Sequence, residues 1–226
     1  MVMTRLTRAD RDCVTAAVTQ AELGTDGEIV TVVARQSDSY HDVALHYAVA
    51  AMLLTLALAA INPAGLEDKL AWFTNGWSGE PDPRRTLFAL TMIETLVFLV
   101  VRYALAWPPL RLALTPKGTR ARRVRRRALQ TFQLGTERRT GARVGVLLYL
   151  SLGERMAEIV ADAGVHGKVP PETWGDAMAS LVTHVREDRA GEGMAAAVER
   201  IGQILSLHFP KTSDDVNELP DRLIEL

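Results

Sequence analysis

Two side chains in "ADAGVHGK" (Ala161–Lys168) have the types a divalent cation would use: Asp162 and, four residues on, His166. Glu154 lies eight residues upstream of Asp162. A hard cation such as calcium or magnesium takes six or more oxygens. Beyond Asp162 and His166, the C-terminal stretch offers Asp214, Asp215, Asn217, Glu218 and Asp221. The competing reading of Asp162 is a helix-capping acid in a solvated loop, and the thin oxygen supply favours it. Asp162 and His166 are therefore the metal candidates, and calcium or magnesium the only cofactor considered. No catalytic residue is assigned. Cys13 lacks the arginine of a thiol-phosphatase loop, since Thr19 stands at that place. GxSxG, P-loop and HExxH patterns are absent. His41 and His46, five apart, do not share a helical face.

Two further groups of residues are chemically pointed. Glu94 sits near the middle of an apolar run, where an ionised carboxylate costs several kcal/mol and so demands neutrality, a partner or another helix. Thr55, at similar depth in an earlier run, is the expected hydrogen-bond partner. The two readings of Glu94 are a proton- or partner-binding group and helix–helix glue. The second group is "RARRVRRR", with Arg120, Arg122, Arg123, Arg125, Arg126 and Arg127. Clustered cations close to a membrane span attract anionic lipid at about 1 kcal/mol each. Nucleic acid is disfavoured as a partner because no aromatic residue is interleaved for base stacking. The competing reading is that the arginines only enforce topology.

These residues must be positioned by elements that the patterning announces. Val43–Ile61 and Thr86–Trp107 are long and apolar, and about 20 helical residues cross the hydrocarbon. Trp72, Trp77 and Trp107 lie near their ends, as interfacial aromatics do. The intervening loop holds only Lys69, Arg84 and Arg85 as cations. Arg5, Arg8, Arg11 and Arg35 precede the first run, and Arg111, Lys117 and the arginine cluster follow the second. The positive-inside rule then places both termini in the cytoplasm. The opening stretch has no apolar core of a signal peptide.

The remaining chain reads as soluble α/β. Val14, Val18 and Ala21 recur at helical spacing after Thr7, a plausible cap, and before Gly24, a plausible stop. Glu28–Arg35 is β-branched and apolar on both faces, hence an internal strand. Ala121, Val124, Ala128 and Phe132 line one face of a basic helix. Arg143–Leu152 and Arg155–Ala161 read as antiparallel strands across a turn. Trp174, Met178, Leu181, Val182 and Val185 form one apolar stripe. Met194, Val198, Ile201, Leu205 and Phe209 form another. A parallel pairing of the first two strands needs a crossover, and the apolar hairpin is read as an insertion in it. The 226 residues carry 26 basic and 27 acidic side chains, which excludes a globally basic nucleic-acid binder. The one cysteine excludes an intrachain disulfide.

"AELGTDGEIVTVVARQSDSY", "GVLLYLSLGERMAEIVADAGV" and "DVNELPDRLIEL" resemble the TPM-domain family, thylakoid and bacterial proteins of which some are described as acid-phosphatase-like. The resemblance is to its short bacterial membrane branch and covers roughly residues 8 to 40 and 115 to 226. It implies an α/β/α sandwich on a small mixed sheet. It also implies acidic residues at the loop edges of the sheet, in members with phosphatase or calcium-binding roles. Many members carry an Asp-Asn pair before the second strand; here Gly141-Ala142-Arg143-Val144 has no acid.

The expected fold class is α/β, a small mixed sheet with flanking helices, interrupted by a two-span transmembrane hairpin. Residues 1–41 and 109–210 are the two parts of one domain. Residues 42–108 hold the hairpin, with spans at about 43–61 and 86–107, and 211–226 form an acidic tail. The expected function is a non-catalytic interaction or accessory module anchored in a bacterial inner membrane, multi-pass, with the soluble domain in the cytoplasm. The alternative is a divalent-cation-dependent phosphatase-like hydrolase. Expected partners are the lipid bilayer and a membrane protein or a second copy of the chain.

Overall fold

In the computed structural model, residues 6–73, 83–135, 144–212 and 221–226 are described. The chain divides into two compact units, Met1–Ser39 with Lys117–Leu226, and Tyr40–Pro116.

The first unit is α/β. Helix α1 (Arg8–Glu22) starts at a capping box: Thr7 Oγ1 accepts from Asp10 N while the Asp10 carboxylate accepts from Thr7 N. Strand β1 (Glu28–Ala34) is buried at all seven positions. The unit resumes with α6 (Lys117–Gly135), β2 (Gly145–Ser151) and β3 (Met156–Ala161). It continues with the short α7 (Ala163–His166), a 3-10 turn, α8 (Gly175–Arg186) and α9 (Ala190–His208). It closes with β4 (Ile224–Glu225). The sheet order is β3-β2-β1-β4. β1 runs parallel to β2 and β4, and β3 antiparallel to β2.

Alternate residues of the central strands enter two separate cores, as the two-residue period of a strand requires. Ile29, Val33, Val146, Leu148 and Leu150 face the side covered by α1, α8 and α9. Val30, Val32, Leu147 and Tyr149 face α6 through Val124, Ala128 and Phe132. Both faces of β1 and β2 are covered, which explains apolar runs without alternation. On the first side the helices approach closely: a Cβ on Gly202 of α9 would lie 2.6 Å from the Ala21 Cβ.

The sandwich and its mixed sheet match the expected fold. The end of the chain differs from the polar tail expected over 211–226. Ile224 and Glu225 pair with Val32 and Val33, and Leu226 N donates to Val33 O at 2.9 Å. A two-residue strand is too short to leave a period in the sequence. Of the strand expected over Arg143–Leu152, Arg143 lies outside the described residues.

The second unit contains α2 (His41–Ile61), α3 (Pro63–Phe73), α4 (Pro83–Ala104) and α5 (Pro108–Leu114). The chain enters it through Tyr40, held in the left-handed region at φ 53°, a conformation uncommon for a bulky residue. α2 and α4 pack along each other. Both are long and apolar enough to cross a membrane, by length and composition. Their outer faces are bare: Leu53, Leu58 and Leu96 are 61, 59 and 62 % exposed. Two details differ from the sequence reading. The loop between the runs contains α3. The second helix ends at Ala104 and not Trp107, because the chain turns there and Trp107 becomes the residue before α5. Trp107 is exposed, and Trp77 lies outside the described residues.

Candidate functional site

The parallel strands give the sheet two chemically different ends. At the end where β1 and β2 begin, Glu28 is paired in register with Gly145, and Glu28 N donates to Val144 O at 3.0 Å. β3 runs the other way, so it delivers Asp162 to this same end. Asp162 is buried, and its carboxylate is fully engaged by backbone. Oδ1 accepts from Gly164 N at 2.9 Å and Val165 N at 3.2 Å, capping α7. Oδ2 accepts from Gly145 N at 2.9 Å, tying that cap to the start of β2. Three backbone N–H donors converge on this carboxylate. His166 is exposed at the far end of the same short helix.

Glu154 occupies the opposite end of the sheet. β3 separates it from Asp162, and six strand residues span roughly 20 Å. The two acids cannot share one ion. Among the described residues no group of three or more His, Cys, Asp or Glu side chains is placed to hold a metal. Asp214, Asp215, Asn217 and Glu218 lie outside the described residues, as do Gly141, Ala142 and Arg143. Asp221 accepts from Thr19 Oγ1 at 2.8 Å. The described surroundings of Asp162 do not supply a divalent cation's ligand set, because its oxygens already serve three amides and it belongs to no group of three or more candidate ligands among the described residues.

The Glu154 end carries a polar cluster that residue patterns alone did not mark. Leu152 N and Gly153 N donate to Ala34 O and Arg35 O at 3.0 and 2.9 Å, extending the β1–β2 ladder past both strands. The approach is close enough that a Cβ at Gly153 would meet Arg35 O at 2.9 Å, so glycine is required there. This turn presents the buried Glu154 to β1's exit. Its carboxylate accepts from Ser37 N at 3.0 Å and from the Ser151 hydroxyl. The Ser37 and Tyr149 hydroxyls are 3.1 Å apart, and burial pushes the Tyr149 phenol up while the Ser37 contact opposes that. One residue on, Asp38 receives Arg123 at 3.1 Å and Arg126 at 3.4 Å from α6. Among the described residues the cluster contains no histidine base. It fastens β1's exit to the β2–β3 turn and to α6. Its sequence signal is only serine and acid at strand ends, too common to single out.

Of the cluster arginines, Arg123 is mostly buried on Asp38, with 16 % of its side chain exposed. Arg126 remains 67 % exposed despite the same partner. Arg122, Arg125 and Arg127 are exposed, and Arg120 is half-buried. Burial pushes the Glu158 carboxyl up, with the Arg125 charge opposing it.

In the helical unit, Glu94 is 7 % exposed, and neither of its carboxylate oxygens has a hydrogen-bond partner. It falls on the α4 stripe with Leu90, Val97 and Val101, which are half-buried. Thr55 does not pair with it. The Thr55 hydroxyl donates instead to Ala51 O at 3.0 Å, one turn back, as hydroxyls in apolar helices do.

Comparison with known proteins adds the family. Residues 112–204 match the model of the TPM domain. No curated protein matches the chain. Among solved structures, the chain is similar to the NMR structure of BA42 protein from the psychrophilic bacterium Bizionia argentinensis sp. nov. The identity is 16 % and the TM-score 0.56, over 100 % of this chain and 99 % of that one. The β2–β3 segment, α6 and α8 lie inside the matched region, and the BA42 likeness carries the fold; the chain carries a TPM domain over residues 112–204.

Proposed function

We propose that this protein is a TPM domain anchored in the bacterial inner membrane by a two-span hairpin, acting there as a non-catalytic interaction or accessory module. The observation that carries the anchoring is the bare apolar surface of α2 and α4. Leu45, Val49, Leu53, Leu54 and Leu58 on one helix, and Leu87, Phe88, Met92, Leu96 and Val100 on the other, are exposed. Each such side chain left in water forgoes about 1.5–3 kcal/mol of burial. Contiguous apolar surface of this extent marks lipid or a partner. The charge distribution along the chain supports a cytoplasmic domain. Exposed Arg122, Arg125, Arg126 and Arg127 suit contact with anionic headgroups, with Arg120 and Arg123 beside them on the same helix.

The non-catalytic part of the reading rests on Asp162. Metal-assisted phosphoryl transfer needs a cation fixed between protein oxygens and substrate. Asp162 instead holds a helix cap and the start of a strand. The full chain should sediment with membranes and resist alkaline carbonate extraction. The purified protein should not hydrolyse an activated phosphate ester above the chelator control when magnesium, calcium or manganese is added. Recovery in the soluble fraction would sink the anchoring, and metal-dependent turnover abolished by Asp162→Asn would sink the non-catalytic role.

A further inference from the structure

Among the described residues Arg111 is an arginine without an acid. It sits on α5, just beyond the second long apolar helix, and is 5 % exposed. Its Nη1 lies 3.3 Å from His41 Nδ1, and its buried Nε has no partner. No carboxylate pairs with it among the described residues. A guanidinium 3.3 Å from Nδ1 can only donate, so that nitrogen carries the lone pair and the ring proton is on Nε2. His41 therefore adds a second N–H donor, on an exposed residue, and no negative charge.

The position of this guanidinium is set by its surroundings within the helical unit. Tyr47 of α2 donates its hydroxyl to Leu114 O at 3.0 Å, fastening the end of α5 to α2. Thr115 donates to Arg111 O at 2.8 Å, fixing the backbone of Arg111 itself. Arg111 is thus held in place and not simply left over. A buried cation with only a neutral imidazole for company is costly, and the missing component is an anion. Arginine's planar fork matches the paired oxygens of phosphate, and His41, exposed at the first turn of α2, stands beside it as the second donor.

We propose that Arg111 and His41 form a binding site for a phosphate group, supplied by a phospholipid headgroup or by phosphate free in solution. The lipid source rests on the membrane-anchored reading; the free-phosphate source does not. The test uses the full chain purified in detergent. One arm measures retention of phosphatidylglycerol by native mass spectrometry. The other measures the thermal midpoint in inorganic phosphate against chloride at equal ionic strength. A lipid site shows in the first arm alone, and a free-phosphate site shows in the second. In either case Arg111→Gln should weaken binding by about tenfold or more, because it removes a buried charged partner. Arg111→Lys, which keeps the charge but not the fork, should fall between. In a background with Arg122, Arg125 and Arg126 all changed to Gln, Arg111→Gln should still lower binding further, which separates the site from headgroup contact by α6. If Arg111→Gln does not fold, Arg111→Lys and His41→Ala decide, each being expected to lower binding. Wild-type protein that binds neither probe, or Arg111 variants that bind as tightly as wild type, would overturn the proposal. A chain found outside the membrane would remove the lipid source only, and the phosphate arm would still judge the site.

Discussion

Asp162 shows how one carboxylate is committed by its backbone surroundings. It accepts three main-chain hydrogen bonds that join α7 to β2. Asp162→Ala should lower stability by about 1–3 kcal/mol, the loss of a cap together with an orphaned buried amide at Gly145. Asp162→Asn keeps an acceptor oxygen and should cost less. Thermal unfolding of the full chain ranks the three proteins, and equal midpoints would remove the structural role. Glu22 at the end of α1 is the opposite case. Burial pushes its carboxyl from 4.5 up to about 8; Ile29 N–H opposes the rise, and Glu28 and Asp221 add to it. Between those two values the folded chain holds a proton that the unfolded chain has released. Its contribution to stability is therefore complete below about 4.5 and is lost as pH rises through about 8. Glu22→Gln keeps an oxygen for Ile29 N, whose bond to Glu22 is 2.8 Å, but never ionises. The decline in thermal midpoint between pH 5 and 9 should be shallower in Glu22→Gln than in wild type. Parallel profiles would show that Glu22 titrates normally.

The helical pair carries its own test. Glu94 is buried on the inner stripe of α4 with both oxygens unpartnered, and Thr55 is turned to its own helix. An unsatisfied buried polar group costs about 1–3 kcal/mol, whereas an apolar residue of similar size does not. Glu94→Leu should therefore leave the thermal midpoint of the detergent-solubilised protein unchanged or raise it. A clear fall would mean that Glu94 makes a bond outside the isolated chain, and self-association of wild type but not of Glu94→Leu would identify the partner as a second copy. At the element scale the sequence was legible wherever periodicity was long. The stripe Val124, Ala128 and Phe132 is buried on the sheet, as its four-residue spacing required. α3, α5 and α7 are short, and their few apolar positions set no detectable period.

For the whole molecule, the proposed anchoring raises the question of which side of the bilayer holds the α/β unit. Cys13, the only cysteine of the chain, is exposed on α1 and supplies a natural probe. With the domain in the cytoplasm, a membrane-impermeant maleimide should not label wild-type protein in intact cells and should label it after permeabilisation. Asp68→Cys, exposed on α3, in a Cys13→Ser background should label from outside. The reverse pattern would place the domain on the outer side and defeat the charge argument.

Strand β1, the two long helices and the stripes of α6, α8 and α9 are readable in the sequence, because burial on one or both faces imposes a composition on many consecutive residues. So is the crossover, since a parallel pair cannot be joined by a tight turn. Three things were decided only in three dimensions. Glu154 and Asp162, eight residues apart, lie at opposite ends of the sheet because an extended strand runs between them. Ser37, Tyr149, Ser151 and Glu154 form one cluster because parallel pairing aligns Ala34 with Ser151 across more than a hundred residues of chain. Arg111 meets His41 because α5 folds back onto the start of α2. Each depends on which distant segments meet, and a hydrophobic pattern records only that a residue is buried, not what it is buried against.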